Sequence, residues 1–189
     1  MKVLSVQIGT ARPLLINGRQ VMSAFRKTPV PHAVQVAPLG LQGDEQVNLS
    51  VHGGLSKAVY AYPHEHYAYW EAQAPLLGEL ATLPFGSLGE NLTLSGLLER
   101  DVFIGDELHF PDCVLRVTEP RQPCATFNAA MGDKLAAKKM AQTGFSGFYL
   151  AVRKTGTIQA GESFEVRPGD RQVSVGELFK VAMRKTRSD

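Results

Sequence analysis

Two cysteines in 189 residues, Cys113 and Cys124, are too few for a disulfide framework, and a reduced compartment is the expectation. Charge of one sign is also lacking: 20 Lys and Arg stand against 18 Asp and Glu, for a formal net charge of +2. Charge therefore gives no support to a nucleic-acid-binding face. The basic residues are scattered apart from Arg184–Arg187, which a solvated terminus explains equally well. No apolar run is long enough to span a bilayer, and Met1–Gly9 is broken by Ser5 and Gln7, unlike a signal peptide. The expected location is the cytoplasm. With 44% hydrophobic and 20% charged residues, the composition is that of a globular domain, not a disordered chain.

Several catalytic signatures are missing too. No Gly-x-x-x-x-Gly-Lys-Ser/Thr phosphate loop occurs, nor a His-Glu-x-x-His helix or Cys-x-x-Cys pair. Gly144-Phe145-Ser146-Gly147 lacks the glycine spacing of a nucleophile elbow, so a serine hydrolase has no support. His64 and His66 lie two apart, which would share a face only on a strand, and surface or packing roles are the default for them.

What is present reads mostly as short strands. Lys2–Ile8 reads as a strand, and Asn17-Gly18 marks a hairpin turn before Arg19–Phe25. His32–Val36 and Ala58–Tyr62 follow, the latter apolar and aromatic. After Pro63, His64–Gln73 reads as a helix with Tyr67 and Trp70 on one face. Glu107–Phe110 and Cys113–Thr118 flank a Pro111-Asp112 turn, with Cys113, Leu115 and Val117 on one face. Asp133–Gln142 reads as a helix stopped near Gly144. Gly147–Arg153 and Ser163–Arg167 are further strands, and Val175–Met183 is helical. Many short strands and few helices predict a mainly β, barrel-like or sandwich-like fold, not a doubly wound sheet.

Three runs carry chemistry. Gly40-Leu41-Gln42-Gly43-Asp44, with His52-Gly53-Gly54 and Lys57, offers backbone N–H groups and a cation to an anion. Taken alone, the run is better explained by two tight turns with a solvated Lys. Gly89-Glu90-Asn91-Leu92 puts a carboxylate beside an amide, suited to a heterocycle edge or to capping a turn. Pro120-Arg121-Gln122-Pro123-Cys124 follows a strand, and its prolines fix where the cysteine points. Arg121 would favour the thiolate, a soft metal ligand, although a buried structural cysteine is the bland alternative.

In order, these runs, the Tyr-Pro-x-Glu-x-Tyr-x-x-Trp stretch at Tyr62–Trp70, and Gly105-Asp106 resemble the MOSC family, named for the C-terminal domain of molybdenum cofactor sulfurases. The spelling is similar to a bacterial branch, the YiiM type, linked to resistance to N-hydroxylated purine analogues. The resemblance runs from about Lys2 to Arg167. It implies a β-barrel-like MOSC domain over residues 1–168, with residues 169–189 as a short helical tail in place of that branch's longer extension. It implies molybdenum cofactor, a pyranopterin dithiolene with a phosphate, with Cys124 as the metal ligand. Gly53, Gly54, Lys57, Glu90, Asn91 and Arg121 would bind the cofactor, and His52 would deliver a proton. The implied reaction is reduction of N-hydroxylated compounds. No flavin, nicotinamide or iron–sulfur motif is evident, so electrons would come from a separate reductase. A homodimer is left open. The competing readings are a non-catalytic carrier of cofactor or sulfur, a cofactor-free protein, and a zinc hydrolase using His64 and His66.

Overall fold

The computed structural model describes residues 1–47, 53–73 and 82–185. The first strands are β1 (Lys2–Ile8), the hairpin β2 (Arg12–Ile16) and β3 (Arg19–Ser23), β4 (Thr28–Pro29), β5 (Val34–Ala37) and β6 (Gly40–Leu41). After Gly54, a single 3-10 turn at Leu55–Lys57 leads into β7 (Val59–Pro63). A second 3-10 turn at His64–His66 continues as α1 (Tyr67–Gln73), so the expected helix begins one turn later than Pro63 suggests. Then come β8 (Leu92–Ser95), β9 (Glu107–His109), β10 (Val114–Pro120), α2 (Ala125–Met131) and α3 (Ala136–Thr143). The chain ends on β11 (Phe148–Lys154), β12 (Gly156–Ile158), β13 (Glu165–Arg167) and α4 (Val175–Lys185).

Eight strands form one sheet in the order β13-β9-β10-β11-β7-β8-β1-β4. All its ladders are antiparallel except β7 with β8. The barrel expectation needs correcting here: the sheet curls but does not close. The start of β1 reaches the segment before β13, with the Val3 N–H donating to the Glu162 carbonyl at 2.9 Å and Gly161 N–H to the Val3 carbonyl at 2.8 Å. These contacts make an isolated bridge, Lys2 with Ser163, and not a ladder, and β4 remains an edge strand among the described residues. A second sheet, β12-β5-β6, and the β2–β3 hairpin stand apart from it.

Both faces of the central strands are covered, which fixes their register. On β7, Val59 and Ala61 enter an aliphatic core with Val6, Leu92, Leu115 and Leu150. Tyr60 and Tyr62 point the other way, into an aromatic core with Tyr67, Trp70, Phe127 and Phe179. Cys113, Leu115 and Val117 are all buried, as the alternation predicts. The α4 helix sends Val175 into the first core and Phe179 into the second, so it packs on the sheet. Among the described residues no helix is long and apolar enough to cross a membrane.

Candidate functional site

Strand β10 ends at Pro120, and the next four residues deliver Arg121 and Cys124 to one place. Cys124 is the N-cap of α2, in extended backbone at φ −147°, and its carbonyl accepts from the Phe127 N–H at 3.1 Å. Its side chain is half-buried. Arg121 is buried, with Nη1 donating to the Leu88 carbonyl at 2.8 Å and Nη2 lying 3.7 Å from the Cys124 Sγ. The rings of Phe25, Tyr60 and Phe127 pack around the guanidinium at 4.8, 5.1 and 5.3 Å. A guanidinium stays protonated even when buried, so a fixed positive charge faces the thiol and favours thiolate. Cys113 is the opposite case: burial in the aliphatic core pushes its thiol up to about 12.

Replacing Arg121 with Lys is expected to cost stability despite keeping the charge. A Lys cannot span Leu88 and Cys124 in a planar fork, and it leaves the Leu88 carbonyl unpaired. A loss of about 2 kcal/mol is expected from that orphaned group. Urea denaturation at pH 7 checks it.

Arg121 forms the inner wall of a cavity of about 490 Å³, with Tyr60, Asn91 and Tyr149. The β2–β3 hairpin supplies Ile16, Val21 and Met22 as the facing wall. Thr126 on α2 also lines it, which places Cys124 beside the cavity between Arg121 and Thr126. Lys27, Lys57, Asp44 and Glu45 contribute the other charges. Lys57 Nζ lies 3.5 Å from the Glu119 carboxylate and 5.6 Å from the centre of the Tyr149 ring. Lys27 is ion-paired with Asp44, which also accepts from the Gly9 N–H at 2.8 Å and the Asn91 amide at 2.9 Å. Burial draws the Lys27 ammonium below its ordinary range, against the pull of Asp44.

The sequence motifs converge only in part. Lys57, Asn91 and Arg121 line the cavity, and Cys124 adjoins it. Gly54, at φ 84°, begins the turn that carries Lys57, its carbonyl accepting from the Lys57 N–H at 3.1 Å. Gly53 precedes it; His52 lies outside the described residues. Glu90 faces inward instead. It is fully buried, and its carboxylate accepts from the Tyr67 hydroxyl, from Gly86 N–H at 2.8 Å, Thr93 hydroxyl at 3.0 Å and Leu88 N–H at 3.2 Å. Burial nonetheless pushes its carboxyl up, against those bonds. Those donors occupy the carboxylate, so Glu90 shapes the loop that presents Leu88 and Asn91. Asn91 is also engaged by the fold, its amide oxygen accepting from the Tyr60 N–H at 3.1 Å.

The histidines pack. His66 bonds Glu99 at 2.8 Å and stacks on Phe145 at 3.8 Å, and His64 stacks on Tyr67 at 5.6 Å. Among the described residues no cluster of three His, Cys, Asp or Glu could hold a metal ion. Sequence reasoning missed Lys27, Phe25 and the hairpin wall. Nothing near Lys27 in the chain marks it, since its partner Asp44 is 17 residues away.

Comparison with known proteins agrees with the sequence resemblance. Residues 48–165 match the MOSC domain profile. The chain is 36% identical over 176 residues to YflK of Bacillus subtilis, covering 92% of this chain and 76% of that one. It is 35% identical over 160 residues to protein YiiM of Escherichia coli, covering 85% and 70%. A protein named Reductase from Gibberella moniliformis is 33% identical over 165 residues, which is 87% of this chain but 29% of that one. The crystal structure of YiiM from Geobacillus stearothermophilus matches with a TM-score of 0.77 at 32% identity, covering 97% of this chain and 84% of that one. On this profile match and these relatives, the chain belongs to the MOSC domain family.

Proposed function

We propose that this chain is an oxidoreductase that holds a molybdenum cofactor beside Cys124 and reduces N-hydroxylated compounds with electrons from a separate reductase. The observation that carries the reading is the pairing of a half-buried thiol with a buried guanidinium at 3.7 Å, next to a cavity of about 490 Å³. That volume is in the range of small-molecule sites. The donor set fits the group: a thiolate suits a soft metal, and Lys57 with the Gly53-Gly54 turn suits a terminal phosphate. Membership of the MOSC family and a relative named as a reductase support the reading.

When bound, the cofactor supplies two-electron oxygen-atom chemistry. The protein's own contributions are binding and electrostatics. Cys124 would be a ligand of the metal, and Arg121, 3.7 Å from the sulfur, would keep it anionic. Asn91 and the ring of Tyr149 bound the inner wall. The substrate's N–O bond breaks, two electrons and two protons enter, and the products are the amine and water. His52 is the proton donor in this reading. Neither redox partner nor second copy is needed to build the cavity.

An assay with a reduced viologen dye as electron donor and an N-hydroxylated purine tests this. The expected result is two dye equivalents oxidised per amine formed. Cofactor-loaded protein that binds substrate but oxidises no dye would support the carrier reading instead.

A further inference from the structure

The cavity beside Cys124 has two unlike walls. Its inner side carries Lys57, Arg121, Asn91 and Tyr149, which are two cations, an amide and a phenol. Ile16, Val21 and Met22, all on the β2–β3 hairpin, make most of the aliphatic lining among the described residues. Leu14 pairs with Val21 and Ile16 with Arg19, which puts Ile16 and Val21 on one face of the hairpin. Met22 follows Val21 and also lines the cavity.

The hairpin holds these side chains in place without making them part of the core. It pairs with neither of the other sheets. Its first root is clamped by two acidic residues: Gly9 N–H donates to the Asp44 carboxylate at 2.8 Å, Glu45 N–H donates to the Gly9 carbonyl at 2.8 Å, and Ala11 N–H donates to the Glu45 carboxylate. Val21 and Met22 are 38% and 52% exposed, so shortening them opens the cavity wall and leaves both cores intact. The inner wall offers hydrogen bonds and charge. The hairpin wall offers neither, and it favours whatever apolar surface leaves water against it. Met22 suits that task, because an unbranched thioether adapts to the shape it meets.

We infer that Val21 and Met22 determine which N-hydroxylated compounds this chain reduces, by taking up the body of the substrate beyond its N–O group. The inference rests on the reductase reading of the same cavity. The probes are an N-hydroxylated purine and hydroxylamine, which has no body for the wall to hold. With the full chain loaded with cofactor, each takes two electrons from reduced viologen dye and two protons, giving the aminopurine or ammonia, and water. The ratio of kcat/KM for the purine to that for hydroxylamine is expected to fall at least tenfold in Val21→Ser combined with Met22→Ser, chiefly through a higher KM for the purine. Met22→Ser alone is expected to lower it at least threefold, and it stands in if the double variant does not fold. Leu15→Ser, on the same hairpin but outside the cavity wall, is expected to keep the ratio within twofold. Molybdenum content and thermal melts check that each variant is loaded and folded. An unchanged ratio in the serine variants, an equal loss on both substrates, or the same fall in Leu15→Ser would overturn the inference and leave the reductase reading standing. A loaded wild type that reduces neither compound would remove that reading, and the inference with it.

Discussion

Cys124→Ala is expected to lower turnover of N-hydroxylated substrate by at least two orders of magnitude while leaving the fold intact. The thiol is half-buried at a helix N-cap and makes no side-chain capping bond, so its loss should cost little stability. What it removes is the soft donor that lies 3.7 Å from the Arg121 guanidinium, beside the cavity. Cys124→Ser should be nearly as inactive, since a hydroxyl is a hard, protonated ligand at neutral pH. Steady-state kinetics with a reduced dye, beside thermal melts, separate the two effects. Turnover within a few-fold of wild type in Cys124→Ala would remove the ligand assignment and, with it, the reading built on it.

Glu90→Leu is expected to be the most destabilising single change at the site. It strands four donors, the Tyr67 and Thr93 hydroxyls and the Gly86 and Leu88 N–H groups, in a fully buried place. A loss of about 4 kcal/mol is expected from orphaned groups of that number, or roughly 10 °C in Tm for a domain of this size. Glu90→Gln should cost less, because the two hydroxyls can turn while the Leu88 N–H cannot. That variant also reads the carboxyl's ionisation. Burial raises the folded pKa, so the folded state keeps its proton after the unfolded state has lost one. The proton's contribution to stability is thus complete below about pH 4, near the ordinary glutamate value. It is lost as pH rises toward the raised folded value. The stability gap between wild type and Glu90→Gln should therefore narrow over that window in urea denaturation at stepped pH. A gap that widens with pH would show the carboxyl held ionised by its four donors.

The parts of the fold that were legible in sequence share a local cause. Asn17-Gly18 adopts φ 50° and 79° and closes the β2–β3 hairpin, and Gly144 at φ 76° caps α3. The alternation around Cys113 predicted its buried face. What was illegible depends on distant partners. Helix α2 carries Ala-Thr-Phe-Asn-Ala-Ala-Met behind a cysteine N-cap, with no capping side chain to announce it. Asp133–Leu135 reads as helix but forms a turn, in which Asp133 accepts from the Leu135 N–H at 2.8 Å. Whether the curled sheet closes depends on β1 meeting the chain before β13, some 160 residues away in order, which no local pattern encodes.

The site divides in the same way. Cys124 and Arg121 were visible because two prolines and a strand end put them on one short segment. The direction of Glu90 was not, since the four-residue run Gly89–Leu92 does not say which side chain enters the core. Lys27 and the hairpin wall became part of the site only through folding, when Asp44 and Asn91 met across the sheet.

The most direct measurement is molybdenum content of the chain purified from cells that make the cofactor, in wild type and Cys124→Ala. The account predicts close to one molybdenum atom per wild-type chain and a marked loss in the variant, with both proteins folded. A folded wild type without molybdenum, from cells shown to supply it to another molybdoenzyme, would contradict the account.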